Sequence, residues 1–184
     1  MKKTASIPQH TFSTIKDDIF LSLDRLILSS SHSTTIIVPH VCNNVDVFGG
    51  GFTAGIVQHY PIVRDNYHML GPSFLKKNLG YSQFILAREH KKNNNQIIFA
   101  NMISQNGTIS PRNKRPLNYL ALCRSMLSVS KYIKEKINTD QSVQIHAPKF
   151  GSGLAGGNWG FISDLIDDIW SDFQVFIYDI NKKT

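Results

Sequence analysis

Cysteine is nearly absent from this chain: among 184 residues only Cys42 and Cys123 occur, far apart and without a Cys-x-x-Cys partner. That spacing indicates neither a zinc site nor a disulfide framework, so no metal is expected and a reducing, cytoplasmic setting is the default. Long apolar runs are missing as well, and no segment has the length and apolarity to span a bilayer. Met1-Lys2-Lys3 has the look of a signal-peptide start, yet Pro8, Gln9 and His10 follow in place of a continuous apolar stretch. No internal repeat or low-complexity segment is found, and the length suits one domain over 1–184 that buries its own core.

Acidic residues are scarce in the middle of the chain. Between Lys76 and Lys136 twelve Lys or Arg stand against Glu89 and Glu135 alone, within a formal net charge of +7 for the whole sequence. This stretch reads either as a face for nucleic acid or as a solvated surface around loops; it lacks the interleaved aromatics that stack bases, which favours the second. A positive field would also draw a phosphorylated small ligand.

Glycine, by contrast, is concentrated. Gly151-Ser152-Gly153-Leu154-Ala155-Gly156-Gly157-Asn158-Trp159 follows an apolar β-like run, Ser142 to Phe150, and opens an amphipathic helical stretch. Such a loop lets successive backbone N–H groups turn toward one concavity, and the next helix adds its unpaired donors and positive dipole end. The guest implied is a phosphate, the alternative being a structural turn. The spacing fits neither a Walker A loop nor the Gly-x-Gly-x-x-Gly of dinucleotide folds. A second run, Phe48-Gly49-Gly50-Gly51-Phe52, again follows an apolar segment and precedes a helical one. Two such units suggest two loops closing on a diphosphate. No Lys or Arg lies between Asp46 and Gly55 or between Phe150 and Ser163, so backbone donors rather than side-chain charge would hold it.

Apolar runs with strand character cover His10 to Ile19, Thr35 to Cys42, Gln83 to Ala87, Gln96 to Ile103, Val143 to Pro148 and Gln174 to Tyr178. Helical periodicity is clearest in Phe161, Ile162, Leu165, Ile166, Ile169, Trp170 and Phe173, with Asp164, Asp167, Asp168 and Asp172 opposite. A second helix is expected from about Pro116 to Ile137, with Leu120, Cys123, Leu127 and Ile133 inward. Others are expected over Phe52 to Tyr60 and Ile62 to Met69, while Asp17 to Ser30 is ambiguous. Ser29 to Ser33, Lys91 to Asn95 and Gln105 to Arg115 read as surface loops. Strands alternating with helices predict an α/β fold, helices on both faces of a mixed sheet, with ligands at the strand ends where both glycine loops lie.

Three blocks together resemble the macrodomain family, closest to its ADP-ribose 1''-phosphate phosphatase and phage branch. They are His40-Val41-Cys42-Asn43-Asn44 leading into Gly49-Gly50-Gly51-Phe52, then Phe99 to Gln105, then Ala147-Pro148-Lys149-Phe150 leading into the second glycine loop through Trp159. The likeness covers nearly the whole chain. It implies a three-layer α/β/α sandwich that binds ADP-ribose or a derivative across its strand ends, with no cofactor. It also implies a cytoplasmic protein, in the host cytoplasm if phage-encoded, monomeric by default.

Residue by residue, the resemblance implies that Asp18 and Ile19 meet the adenine; the alternative for Asp18 is a helix cap. Asn43 and Asn44 would reach the distal ribose, and Gly49, Gly50, Gly51 and Phe52 would hug that ribose and one phosphate. Phe150, Gly151, Ser152, Gly153, Leu154, Ala155 and Gly156 would take the diphosphate. Tyr178 lies where an aromatic ring packs on adenine, or is a buried strand tyrosine. For chemistry, Asn43 would position a water, Asp46 is the candidate base or else a turn former, and His40 is a proton-transfer partner or else a core histidine. His59 and His68 carry no motif and are expected on helix surfaces. Ala155 stands where relatives that remove ADP-ribose from protein carboxylates have Asp, so a lysine-nucleophile mechanism is not implied; Asp17 stands where many have Gly, which implies a turn of different shape before the adenine pocket.

Overall fold

The computed structural model describes residues 10–29, 33–137 and 141–179. The Met1-Lys2-Lys3 start and the centre of the Ser29 to Ser33 linker lie outside them. In chain order the elements are β1 (Ser13–Ile15), α1 (Ile19–Leu28), β2 (Thr34–Asn43), α2 (Phe52–His59), α3 (Pro61–Met69), α4 (Gly71–Lys77), β3 (Ser82–His90), β4 (Asn95–Gln105), α5 (Tyr119–Lys136), β5 (Ser142–Pro148), α6 (Trp159–Trp170) and β6 (Gln174–Tyr178). The sheet runs β1-β6-β5-β2-β4-β3, parallel except for β3, which pairs antiparallel with β4.

Alternation along the strands divides the core between two faces. Ile36 and Val38 of β2, with Ile97 and Phe99 of β4, pack under Leu23 and Ile27 of α1, Ile56 of α2 and Val63 of α3. Ile37, Ile98, Ala100 and Met102 face the other way, onto Leu122, Met126 and Val129 of α5 and Ile162, Ile166 and Trp170 of α6. A smaller cluster joins Leu75 of α4 and Tyr67 of α3 to Cys42 and Ile103. The result is the expected three-layer α/β/α sandwich with a mixed central sheet.

Several local expectations are corrected. The run His10 to Ile19 contributes only a three-residue edge strand, because Asp18 ends it by capping α1, accepting from Phe20 N at 2.7 Å. In α5 the inward face is shifted: Leu120 is 61% and Leu127 56% exposed, while Ala121, Leu122, Ser125, Met126 and Val129 are buried. The helix starts at Tyr119, capped by Asn118, rather than at Pro116.

One feature of the pairing creates the site. Strands β2 and β5 are hydrogen-bonded only as far as Ile37 and Ile145, although β2 runs on to Asn43 and β5 to Pro148. Pro39, with no amide to donate, sits just past the last pair. From β2 the chain works outward to β4 and β3; from β5 it works the opposite way, to β6. The gap between β2 and β5 is therefore the topological switch point, where open parallel sheets bind ligands.

Candidate functional site

A cavity of about 420 Å³ opens at this switch point. It is lined by His40 and Val41 of β2, Gly50 to Thr53 of the first glycine loop and α2, Gln105 at the end of β4, and Pro148 to Gly151 with Gly153 to Ala155 of the second loop. A smaller cavity of about 110 Å³ adjoins it, sharing Val41, Gly50, Thr53, Gln105 and Leu154 and adding Asn43, Val47, Phe48, Thr108 and Ile109. The two glycine loops meet through Leu154, whose Cδ1 lies 3.3 Å from where a Cβ on Gly51 would stand.

Backbone donors dominate the lining. Among the described residues the amides of Gly50, Gly51 and Phe52 on one side, and of Gly153, Leu154 and Ala155 on the other, donate to no protein acceptor. Helix α2 adds its N-terminus: Gly51 occupies the cap at φ +59° with no side-chain cap, and Phe52 and Thr53 of the first turn line the cavity. Thr53 Oγ1 ties the loop, accepting from Gly49 N and donating to Gly50 O at 2.9 Å each. Two walls of unengaged N–H groups and a positive helix end are an arrangement whose chemistry suits an anion. The helix responsible is α2 and not α6, as the sequence had suggested. The first turn of α6 lines neither cavity, and one of its amides is already used, since the Asn158 side chain accepts from Phe161 N.

Glycines of the second loop divide by role. A Cβ on Gly153 would meet nothing within 4 Å, so this residue is open toward the cavity. A Cβ on Gly156, at φ +70°, would stand 2.5 Å from Lys114 O, and one on Gly151 3.1 Å from Ile162 Cδ1. These two are required by packing of the loop on its neighbours. One segment thus holds a glycine open to the cavity and glycines required by packing.

Of the candidate residues, the structure brings His40, Gly50, Gly51, Phe52, Phe150, Gly151, Gly153, Leu154 and Ala155 to the larger cavity and Asn43 to the smaller one. Asp18, Ile19, Asn44, Asp46, Gly49, Ser152, Gly156 and Tyr178 line neither. Ile19 is buried in the α1 core. Ser152 Oγ donates to Lys149 O at 3.0 Å. Tyr178 is buried beside a separate groove, its Oη 2.9 Å from His146 Nδ1. The Asn44 side chain braces the 106–107 turn, accepting from Gly107 N and donating to Asn106 Oδ1. Sequence reasoning missed Val41, Thr53, Gln105, Pro148 and Lys149. Thr53 stands beside a quoted motif residue and the other four lie inside the quoted blocks, so membership of those blocks was the signal available.

The chemistry-bearing side chains are engaged by the protein. Asn43 Oδ1 accepts from Val45 N at 3.0 Å and Val47 N at 3.2 Å, and its Nδ2 donates to Val47 O at 2.6 Å, which shapes the 43–48 turn. Asp46, at φ +60°, pairs through Oδ1 with His68 Nδ1 at 2.7 Å. His68 is thus tied to the candidate base instead of standing alone on its helix. His40 is 2% exposed, edge-on to Phe48, Phe52 and Phe99, and burial lowers its pKa to about 4. Its Nε2 meets Asn101 Oδ1 at 2.6 Å and its Nδ1 faces Cys42 Sγ at 3.7 Å, so both ring nitrogens are occupied and His40 is placed as a cavity wall. Among the described residues, no group of three or more His, Cys, Asp or Glu is gathered for a metal, and no helix is long and apolar enough to cross a membrane.

The sandwich, with its glycine-lined crevice between β5 and β2, has the fold of solved macrodomains. No protein-family model matches it. Over 180 residues it is 26% identical to the ADP-ribose 1''-phosphate phosphatase of Lodderomyces elongisporus, spanning 92% of this chain and 99% of that one. A macrodomain protein from Streptomyces coelicolor superposes with a TM-score of 0.63 at 23% identity, covering 91% of this chain and 98% of the other. Thermosipho africanus DarTG, solved in complex with ADP-ribose, gives 0.65 at 17% identity, covering 93% of this chain and 42% of that chain.

Proposed function

We propose that this protein binds ADP-ribose in the crevice between the two glycine loops and hydrolyses ADP-ribose 1''-phosphate to ADP-ribose and inorganic phosphate. The observation that carries the binding half is the pair of facing N–H walls, Gly50 to Phe52 and Gly153 to Ala155, across one cavity. Backbone amides match a diphosphate without the pKa or rotamer cost of buried side-chain charge. In this reading the adenine lies toward Asp18, Ile19 and Tyr178, the diphosphate between the loops, and the distal ribose toward Asn43, Asn44 and Gly49. The phosphatase half draws its support from the relative of that name and from the carboxylate of Asp46, in the turn that supplies Val47 and Phe48 to the smaller cavity.

For the reaction, a water attacks the phosphorus, its proton passes to the Asp46 oxygen not paired with His68, and the bond from phosphorus to the 1''-oxygen breaks as that oxygen takes a proton from solvent and leaves as the ribose 1''-hydroxyl. Asn43 holds the turn that aims this carboxylate. A binding-only role is the second reading, favoured by the fact that Asp46 is paired with His68 and lines neither cavity. Removal of ADP-ribose from a macromolecule would use the same proximal contacts and differ only at the distal end. Titration calorimetry with ADP-ribose and a phosphate-release assay with ADP-ribose 1''-phosphate separate these readings. Binding with release supports the phosphatase, binding without release leaves a binding module, and absence of binding refutes both.

A further inference from the structure

We infer that Lys149 is the cationic phosphate contact of this cavity and engages the adenosine-side phosphate of the ligand. The inference rests on reading the cavity as an ADP-ribose site. Among the described residues Lys149 is the one lining this cavity with a fixed positive charge, His40 being neutral at pH 7. It follows Pro148, the last residue of β5, so its backbone is held by the sheet. Its ammonium is held in place from two sides. Nζ lies 2.7 Å from Asp179 Oδ2 and 5.5 Å from the centroid of the Trp159 ring.

Both holders are anchored. Asp179 follows β6, and its amide donates to Ile15 O at 3.0 Å. Trp159 begins α6 and is packed edge-on against Phe12 and Phe150. The Lys149 side chain retains 37% of its exposure, and its ammonium has donors left after Asp179 takes one. Asp179 and Trp159 fix the position of the charge without using it up, and a phosphate oxygen completes its coordination.

Position decides which phosphate. In the order β1-β6-β5-β2, Lys149 leaves the end of β5 and leans to Asp179 at the end of β6, away from the 43–48 turn at the end of β2. A ligand laid from β1 and β6 across to β2 therefore presents its adenosine-side phosphate to Lys149. The second phosphate falls to the amides of the two loops. Backbone dipoles accept any well-shaped anion, whereas a fixed cation favours the more highly charged ligand.

Calorimetry with ADP-ribose on the wild type, Lys149→Met, Lys149→Gln and Lys149→Arg tests this, with circular dichroism confirming each fold. Removing the charge is expected to weaken binding about tenfold, and Arg to restore it to within about threefold. Phosphorus NMR of bound ADP-ribose should show the larger Lys149→Met shift at the adenosine-side resonance. Binding by Lys149→Met and Lys149→Gln within about twofold of wild type, or a Lys149→Arg variant as weak as Lys149→Met, overturns the role of the charge. A larger shift at the distal resonance overturns the assignment of the phosphate. If the wild type itself does not bind ADP-ribose, the nucleotide reading fails and the inference falls with it.

Discussion

His40 Nε2 lies 2.6 Å from Asn101 Oδ1, and this bond orients both side chains. Asn101 Nδ2 donates to Gln83 Oε1 at 3.1 Å, so Oδ1 is the acceptor and the imidazole carries its proton on Nε2. The second nitrogen faces Cys42 Sγ at 3.7 Å, and burial disfavours a second proton on the ring. His146 is also buried, and both histidines are held by burial at a pKa of about 4 against the ordinary 6.5.

Acid should therefore destabilise the fold through these two residues. Between pH 6.5 and 4 the unfolded chain binds protons that the folded one refuses, so stability present at neutral pH is lost as pH falls through this window and levels off below it. The loss is expected to be on the order of 2–3 kcal/mol per histidine. Urea unfolding at pH 7 and pH 5 measures it. A His146→Gln variant with an unchanged pH slope would show that His146 does not contribute.

Gly153 and Gly156 are expected to separate ligand binding from folding. Gly153→Glu has open space for its side chain and should keep stability within about 0.5 kcal/mol, while placing a carboxylate among the phosphate donors and lowering ADP-ribose affinity at least about 100-fold. Gly156→Ala must hold an L-residue at φ +70° against Lys114 O and should cost about 2 kcal/mol or more. Thermal unfolding and calorimetry on the two variants give the comparison. Equal thermal losses would contradict the division.

Asn43 and Tyr67 form one unit. Tyr67 Oη lies 2.8 Å from Asn43 O and 3.0 Å from Asn43 Oδ1, and Tyr67 is fully buried. Asn43→Ala strands the amides of Val45 and Val47 and should cost about 2 kcal/mol, Tyr67→Phe about 1 kcal/mol. Because both hold the same turn, a double-mutant cycle should give a coupling of at least about 0.5 kcal/mol. Strict additivity would mean that the turn does not depend on their contact.

Asp46→Ala should abolish phosphate release from ADP-ribose 1''-phosphate while leaving ADP-ribose affinity within about threefold, because Asp46 lines neither cavity. His68→Ala, which removes the partner but not the carboxylate, should lower kcat by about tenfold with KM nearly unchanged. Parallel losses of binding and turnover in Asp46→Ala would instead assign Asp46 to the shape of the loop.

Much of the fold was legible because the strands of this sheet are short apolar runs and α6 is strongly amphipathic. Both are local signals with a physical period. The first glycine run announced its loop, since Gly49 and Gly51 adopt φ values of +124° and +59° that other residues avoid. In α5 periodicity misled, because Leu120 and Leu127 are apolar yet exposed while Ser125 is fully buried. The pairing of Asp46 with His68 was not readable, since 22 positions separate them and only the packing of α3 behind the 43–48 turn brings them to 2.7 Å.

The amino-acid sequence alone determined the layers, the strand-loop-helix units and the richness of the two loops in small residues. These follow from the period of apolar side chains and the freedom of glycine, which each stretch of chain carries by itself. Tertiary structure decided the rest. The early end of β2–β5 pairing opens the crevice, and the approach of Leu154 to Gly51 joins the loops. The first turn of α2, and not that of α6, lines the crevice, and the strand order sets Lys149 against Asp179. Each of these depends on distances between residues remote in sequence, which no local pattern encodes.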